Sequence, residues 1–83
     1  MKTSYKFIAF EEVYQPNRKT KTYFCMNKRS STVLGVVKWY GHWRQYCYFS
    51  EPNIVYSADC LADIQHFIGQ LKTERIKVRS HCG

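Results

Sequence analysis

The sequence predicts an α+β fold: a four-stranded antiparallel sheet made of β-hairpins, with one C-terminal amphipathic helix packed on one face. Three observations predict it. Runs of β-branched and aromatic residues alternate with short turn segments through the first half of the chain. One later stretch repeats apolar residues at helical spacing. The length, 83 residues, allows one domain and one thin core.

The first strand is read over 5–14, YKFIAFEEVY, where Tyr5, Phe7 and Ala9 alternate with Lys6, Ile8 and Phe10. Gln15-Pro16-Asn17-Arg18 ends it as a turn, because proline fixes φ and asparagine tolerates a left-handed backbone. KTYFCMN (21–27) is the second strand, and the polar run Asn27 to Ser31 is a loop. VLGVVKWY (33–40) and WRQYCYF (43–49) are the third and fourth strands. Gly41-His42 between them reads as a two-residue type II′ turn, which prefers glycine first. Ser50 to Asn53 breaks the strand and 54–56 is an extended link. Ser57 is a good N-cap, with Asp59 in the first turn where the helix dipole favours acid. Cys60, Leu61, Ile64, Phe67, Ile68 and Leu71 then form one apolar stripe. The domain is expected to span 1–76, with 77–83 as a basic tail that carries Cys82.

Bulk chemistry narrows the partners. Net charge is +7, which favours an anionic partner such as nucleic acid or a nucleotide. No stretch approaches the ~18 apolar residues of a membrane span, and Met1-Lys2 leads into charged sequence rather than a secretory signal. A cytoplasmic location with reduced thiols is therefore expected. The four cysteines contain no C-x-x-C pair, so no metal site is expected, and Cys25, Cys47 and Cys60 fit packing positions.

The two-residue turn sets a register in which Trp39 faces Arg44, Val37 faces Tyr46, Val36 faces Cys47 and Leu34 faces Phe49. Leu34, Val36, Cys47 and Phe49 then share one face, taken as the core under the helix, with Lys38 and Gln45 nearer the tip. Trp39, Arg44, Tyr46 and Tyr48 share the other, expected to be uncovered. Rings stack on bases while cations meet phosphates, so this set is the candidate nucleic-acid surface. Lys38 reaches round from the tip, and Lys21, Lys28 and Arg29 form a cationic rim. Arg18, Lys19 and, at the helix end, Lys72, Arg75, Lys77 and Arg79 add charge.

Catalysis has little support, and the chain is read as no enzyme. No thiol is spaced to meet a histidine: Cys47 and His42 flank a turn, and Cys60 and His66 are six apart. Glu11 and Glu12 are strand neighbours and point to opposite faces. The glycines are scattered, so no phosphate loop forms, and no cofactor is expected.

LGVVKWYGHWRQYCYF followed by SADCLADIQHFIGQL resembles a group of small uncharacterised proteins of phage and prophage genomes. Their shared core is G-x-(V/I)-K-W-Y-G-x-W-R-x-Y, then aromatics, a Cys-Leu pair and a short amphipathic helix. Gly35, Val37, Lys38, Trp39, Tyr40, Gly41, Trp43, Arg44 and Tyr46 match it, as do Cys60-Leu61. The resemblance spans roughly residues 22 to 71. It implies a phage-type origin and action inside a host cell. Two functions are expected from the whole reading: a nucleic-acid-binding module, or an anti-defence or host-takeover protein. The second would bind a host protein or sequester a small nucleotide, as a monomer or a homo-oligomer.

Overall fold

A computed structural model describes the backbone of residues 1–17 and 19–82 and the side chains of 1–17 and 19–74. Its elements are β1 (Ile8–Val13), β2 (Thr22–Asn27), β3 (Val33–Tyr40), β4 (Gln45–Ser50) and α1 (Ala58–Cys82). The strands form one antiparallel sheet in the order β1-β2-β3-β4, with α1 across one face. The α+β architecture is the expected one.

Three local features differ from the sequence reading. The segment 5–14 is not one strand: the chain reverses at Lys6-Phe7, so that Ser4 pairs back with Ala9. The Phe10 amide donates to the Thr3 carbonyl at 2.7 Å along the outer edge of β1. This reversal puts Tyr5 in the core. The β3–β4 turn has four residues, Gly41 to Arg44, rather than two. Among the described residues no glycine takes a positive φ; Arg44 does, at 51°, and closes the loop. The helix continues to Cys82 instead of stopping near 76. Side-chain readings at Arg18, Arg75, Lys77, Arg79 and Cys82 lie outside the described residues.

The helix begins as expected. The Cys60 amide donates to Ser57 Oγ at 3.2 Å, which caps the first turn. Ile64, Phe67 and Leu71, at i, i+3 and i+7, are its buried stripe. Leu61 was expected in that stripe but is 53% exposed, because it lies a residue off this line.

The covered face is the reverse of the expected one. The register Tyr23↔Val37↔Tyr48 and Phe10↔Cys25↔Gly35 places these residues on one side of the sheet, under α1. Phe67 stacks on Phe10 with ring centroids 4.0 Å apart and meets Tyr23 edge-on at 4.9 Å. Ile8, Phe10, Tyr23, Cys25, Val37, Ile64, Phe67 and Leu71 are buried together. Trp39, Tyr46 and Tyr48 share this covered side, since Trp39 pairs with Tyr46 and Val37 with Tyr48.

The physical reason is area and satisfaction. Large rings bury more apolar surface than Val36 or Cys47 can, and the hydroxyls of Tyr5 and Tyr48 find partners. Tyr48 Oη and Tyr56 Oη are 2.8 Å apart, and Tyr56 Oη donates to the Leu34 carbonyl at 2.9 Å. Tyr5 Oη lies 2.8 Å from His66 Nδ1. Gly35 makes the Tyr48 position possible: a Cβ there would lie 2.5 Å from Tyr48 Cζ. A bulge in β3 between the partners of Cys25 and Met26 turns Leu34 toward the core, so it leaves the set it was expected to join.

Candidate functional site

The uncovered face is built by the other half of each strand. Glu11, Phe24, Val36 and Phe49 form a row across all four strands. Lys38 pairs with Cys47 and Tyr40 with Gln45 in the next rows toward the turn. The four-residue turn then adds His42 and Trp43. Tyr40 is the hub. Its ring lies 5.1 Å from Trp43, 5.3 Å from His42 and 5.8 Å from Phe49. Lys38 Nζ stands 4.7 Å above the Phe49 ring.

Exposure separates these rings from those under the helix. Trp43 is 67% exposed, Phe24 38% and Phe49 37%. Rings gathered in the open make this face the candidate contact surface. Sequence reading assigned Leu34, Val36, Cys47 and Phe49 to the core and so missed Phe24, Tyr40, Trp43 and Phe49 as surface rings. The available signal lay in β1 and β2, which put Ile8, Phe10, Tyr23 and Cys25 on the opposite side of the sheet from Phe24.

The expected site residues separate. Trp39 and Tyr46 are half-buried on the helix side, in edge contact at 5.5 Å. Tyr48 is held by Tyr56 and packs on the core, so it is not a free stacking surface. Arg44 is exposed in the turn, and Lys38 is on the open face beside the rings. Lys21 precedes β2, 3.9 Å from Glu12 in an exposed pair of little energetic value. Lys28 and Arg29 lie past the other end of β2, roughly 23 Å of extended chain away. The three do not form one rim.

Lys28 and Arg29 instead line a groove of about 650 Å³ with Lys6, Phe7, Val55 and Ser57. Lys28 Nζ donates to Ser4 Oγ at 3.0 Å and the Tyr5 carbonyl at 2.9 Å, which holds its charge in place with neutral oxygens.

Burial holds three titratable groups of the core in their protonated form. Burial pushes the Cys25 thiol up to about 11, so it is not a thiolate at neutral pH. Burial pushes Tyr23 up to about 12, with Glu12 and Glu74 adding to the rise. Tyr48 is raised by burial and by its hydrogen bond to Tyr56. Among the described residues no group of three histidine, cysteine or acidic side chains is placed to hold a metal ion, and no helix is long and apolar enough to cross a membrane.

A curated relative, described as an uncharacterized 9.3 kDa protein of Acholeplasma phage L2, is 38% identical over 72 residues. The alignment covers 87% of this chain and 92% of the relative. No protein-family model and no solved structure matches the chain.

Proposed function

For a chain that belongs to the family of small phage proteins represented by the 9.3 kDa protein of Acholeplasma phage L2, we propose a non-enzymatic role in binding single-stranded nucleic acid inside the host cell. The observation that carries this reading is the uncovered sheet face, where Tyr40, Trp43, Phe49 and Phe24 lie beside Lys38 in a chain of net charge +7. The K-W-Y-G-x-W-R-x-Y hairpin supplies Lys38, Tyr40 and Trp43 to that surface.

Bases stack on Trp43 and Tyr40, each contact contributing roughly 1–3 kcal/mol whatever the base. Lys38 and Arg44 meet phosphates on either side of the hairpin. Lys28 and Arg29 take phosphates at the far end of the sheet. A single strand suits this arrangement better than a duplex, whose bases are already stacked on each other.

Fluorescence anisotropy with labelled oligonucleotides tests it. Four neutralised phosphates give a slope of log affinity against log salt of about −3 for a single strand. Duplex of the same sequence binds more weakly. No binding of any oligonucleotide by micromolar protein at low salt ends this reading.

The groove beside Lys28 favours a second reading, sequestration of a small nucleotide. Its volume, about 650 Å³, is in the range of small-molecule sites, and Lys6, Lys28 and Arg29 line it with no carboxylate. Phe7, 51% exposed, offers it a ring. Calorimetry with mononucleotides separates the readings, because a host-signal sink binds them at micromolar concentration and a stacking face does not. A host protein that stays bound in a pull-down after nuclease treatment points instead to takeover of that protein.

A further inference from the structure

The two edges of the sheet are protected very differently. On β1 the N-terminal segment covers the outer edge through Ser4↔Ala9 and the Phe10 to Thr3 bond, and Glu11 and Glu12 charge the rest. Charges and covering segments are how sheet edges avoid pairing with other chains. On β4 neither device is present. Its sequence, QYCYFS, has no charge and no proline, and among the described residues no segment pairs with its outer side.

The direction of its free backbone groups follows from one bond. The Glu51 amide donates to the Leu34 carbonyl at 2.9 Å, and bonding alternates along an antiparallel ladder. The odd-numbered residues Gln45, Cys47 and Phe49 therefore bond to β3. Tyr46, Tyr48 and Ser50 point their N–H and C=O outward.

We propose that the outer edge of β4 pairs with the β4 edge of a second copy, antiparallel about a twofold axis at Tyr48, to make a continuous eight-stranded sheet. In this register Tyr48 faces its own copy and Tyr46 faces Ser50, which uses all three outward residues. Phe49 lies opposite Cys47, and Gln45 opposite Glu51, so no like charges meet. Elsewhere the surface of a chain of charge +7 repels its own copy, whereas the uncharged β4 does not. Pairing of β4 with β1 would give an open fibre, but the covered edge of β1 blocks it. The dimer joins two ring faces into one surface, and it stands independently of what that surface binds.

Analytical ultracentrifugation of the full chain, without nucleic acid, is the first test: a monomer–dimer equilibrium is expected, and a monomer at all concentrations overturns the proposal. Ser50→Pro removes an outward N–H without touching the β3–β4 ladder, and proline is tolerated at such edge positions. It is expected to weaken the dimer roughly 10- to 30-fold, since symmetry deletes the bond twice. A folded S50P protein that dimerises as tightly as the parent overturns the proposal.

Phe49→Cys provides the second variant. It places a new thiol opposite Cys47 of the partner in a non-hydrogen-bonded pair, where side chains approach closest. Mild oxidation should give a covalent dimer, and peptide mapping should find the 47–49 link. A dimer linked only through other cysteines overturns the register.

Discussion

Both faces of the sheet carry aromatic rings, and the two sets differ in what surrounds them. Under α1 the hydroxyls of Tyr5 and Tyr48 are paired within the protein. Tyr5 meets His66, and Tyr48 meets Tyr56. On the open face the exposed rings are Trp43, Phe24 and Phe49, with Tyr40 linking two of them, and their neighbours are Lys38 and His42. Aromatic content alone therefore does not mark a binding surface. Rings packed on an apolar helix stripe hold the fold, and rings stacked beside cations in water are free to meet a ligand.

The largest expected effect is on the covered face. Phe67 has no exposure and joins Phe10 and Tyr23 across β1 and β2. Phe67→Ala should cost about 3–5 kcal/mol. For a domain this small that is a large share of total stability. Urea unfolding followed by far-ultraviolet circular dichroism measures it. A loss under about 1 kcal/mol would mean that α1 does not pack on this face.

Alkaline pH probes the same face through its protons. Cys25 rises from 9.0 to about 11 and Tyr23 from 10.0 to about 12, both chiefly by burial. Each holds its proton more tightly when folded than when unfolded. Their stabilisation is therefore full below pH 9 and is lost as pH climbs through the folded values. Unfolding midpoints should be insensitive to these groups at pH 7–8 and fall between about pH 9 and pH 12. Replacing Cys25 with Ala should flatten the lower part of that fall.

Gly35→Ala ranks next. The added Cβ would lie 2.5 Å from Tyr48 Cζ and Oη and 2.6 Å from the Phe49 carbonyl oxygen. One of those neighbours is backbone, so relief by a side-chain swing is incomplete. A loss of about 1–3 kcal/mol is expected from such overpacking, read as a lower midpoint in the same urea titration. An unchanged midpoint would place the Tyr48 ring elsewhere.

Much of this contrast was legible before the structure. Period-two alternation sorted β3 and β4 into two sets, apart from Leu34, which the β3 bulge moves, and Arg44, which lies in the turn, and the sorting survived an error in the turn. The real loop has two more residues than the expected one, and a two-residue slip keeps every side chain on its face. What alternation does not supply is the sign. Val36, Cys47 and Phe49 on one side and Val37, Tyr46 and Tyr48 on the other are both apolar enough to be core. The sign came from β1 and β2, which put Ile8, Phe10, Tyr23 and Cys25 on the Val37 side. Gly35 carried a local hint, since glycine inside a strand often marks the close approach of another group. The N-cap at Ser57 was readable because capping is local chemistry. The end of α1 was not, because neither glycine nor proline stops the helix before Cys82.

The smallest effect on stability is expected at Trp43, and that makes it the sharpest test of the open face. Its ring is two-thirds exposed and touches mainly Tyr40. Trp43→Ala should change unfolding stability by no more than about 0.5 kcal/mol, as surface changes usually do. The same variant should lose about 10-fold or more in affinity for single-stranded oligonucleotide, the worth of one stacked base. Trp39→Phe, on the half-buried helix side, should leave affinity within about twofold, because it keeps a ring where no base is expected. If instead the Trp39 variant loses affinity and the Trp43 variant keeps it, the ligand meets the rim of the covered face, and the division of labour between the two faces fails.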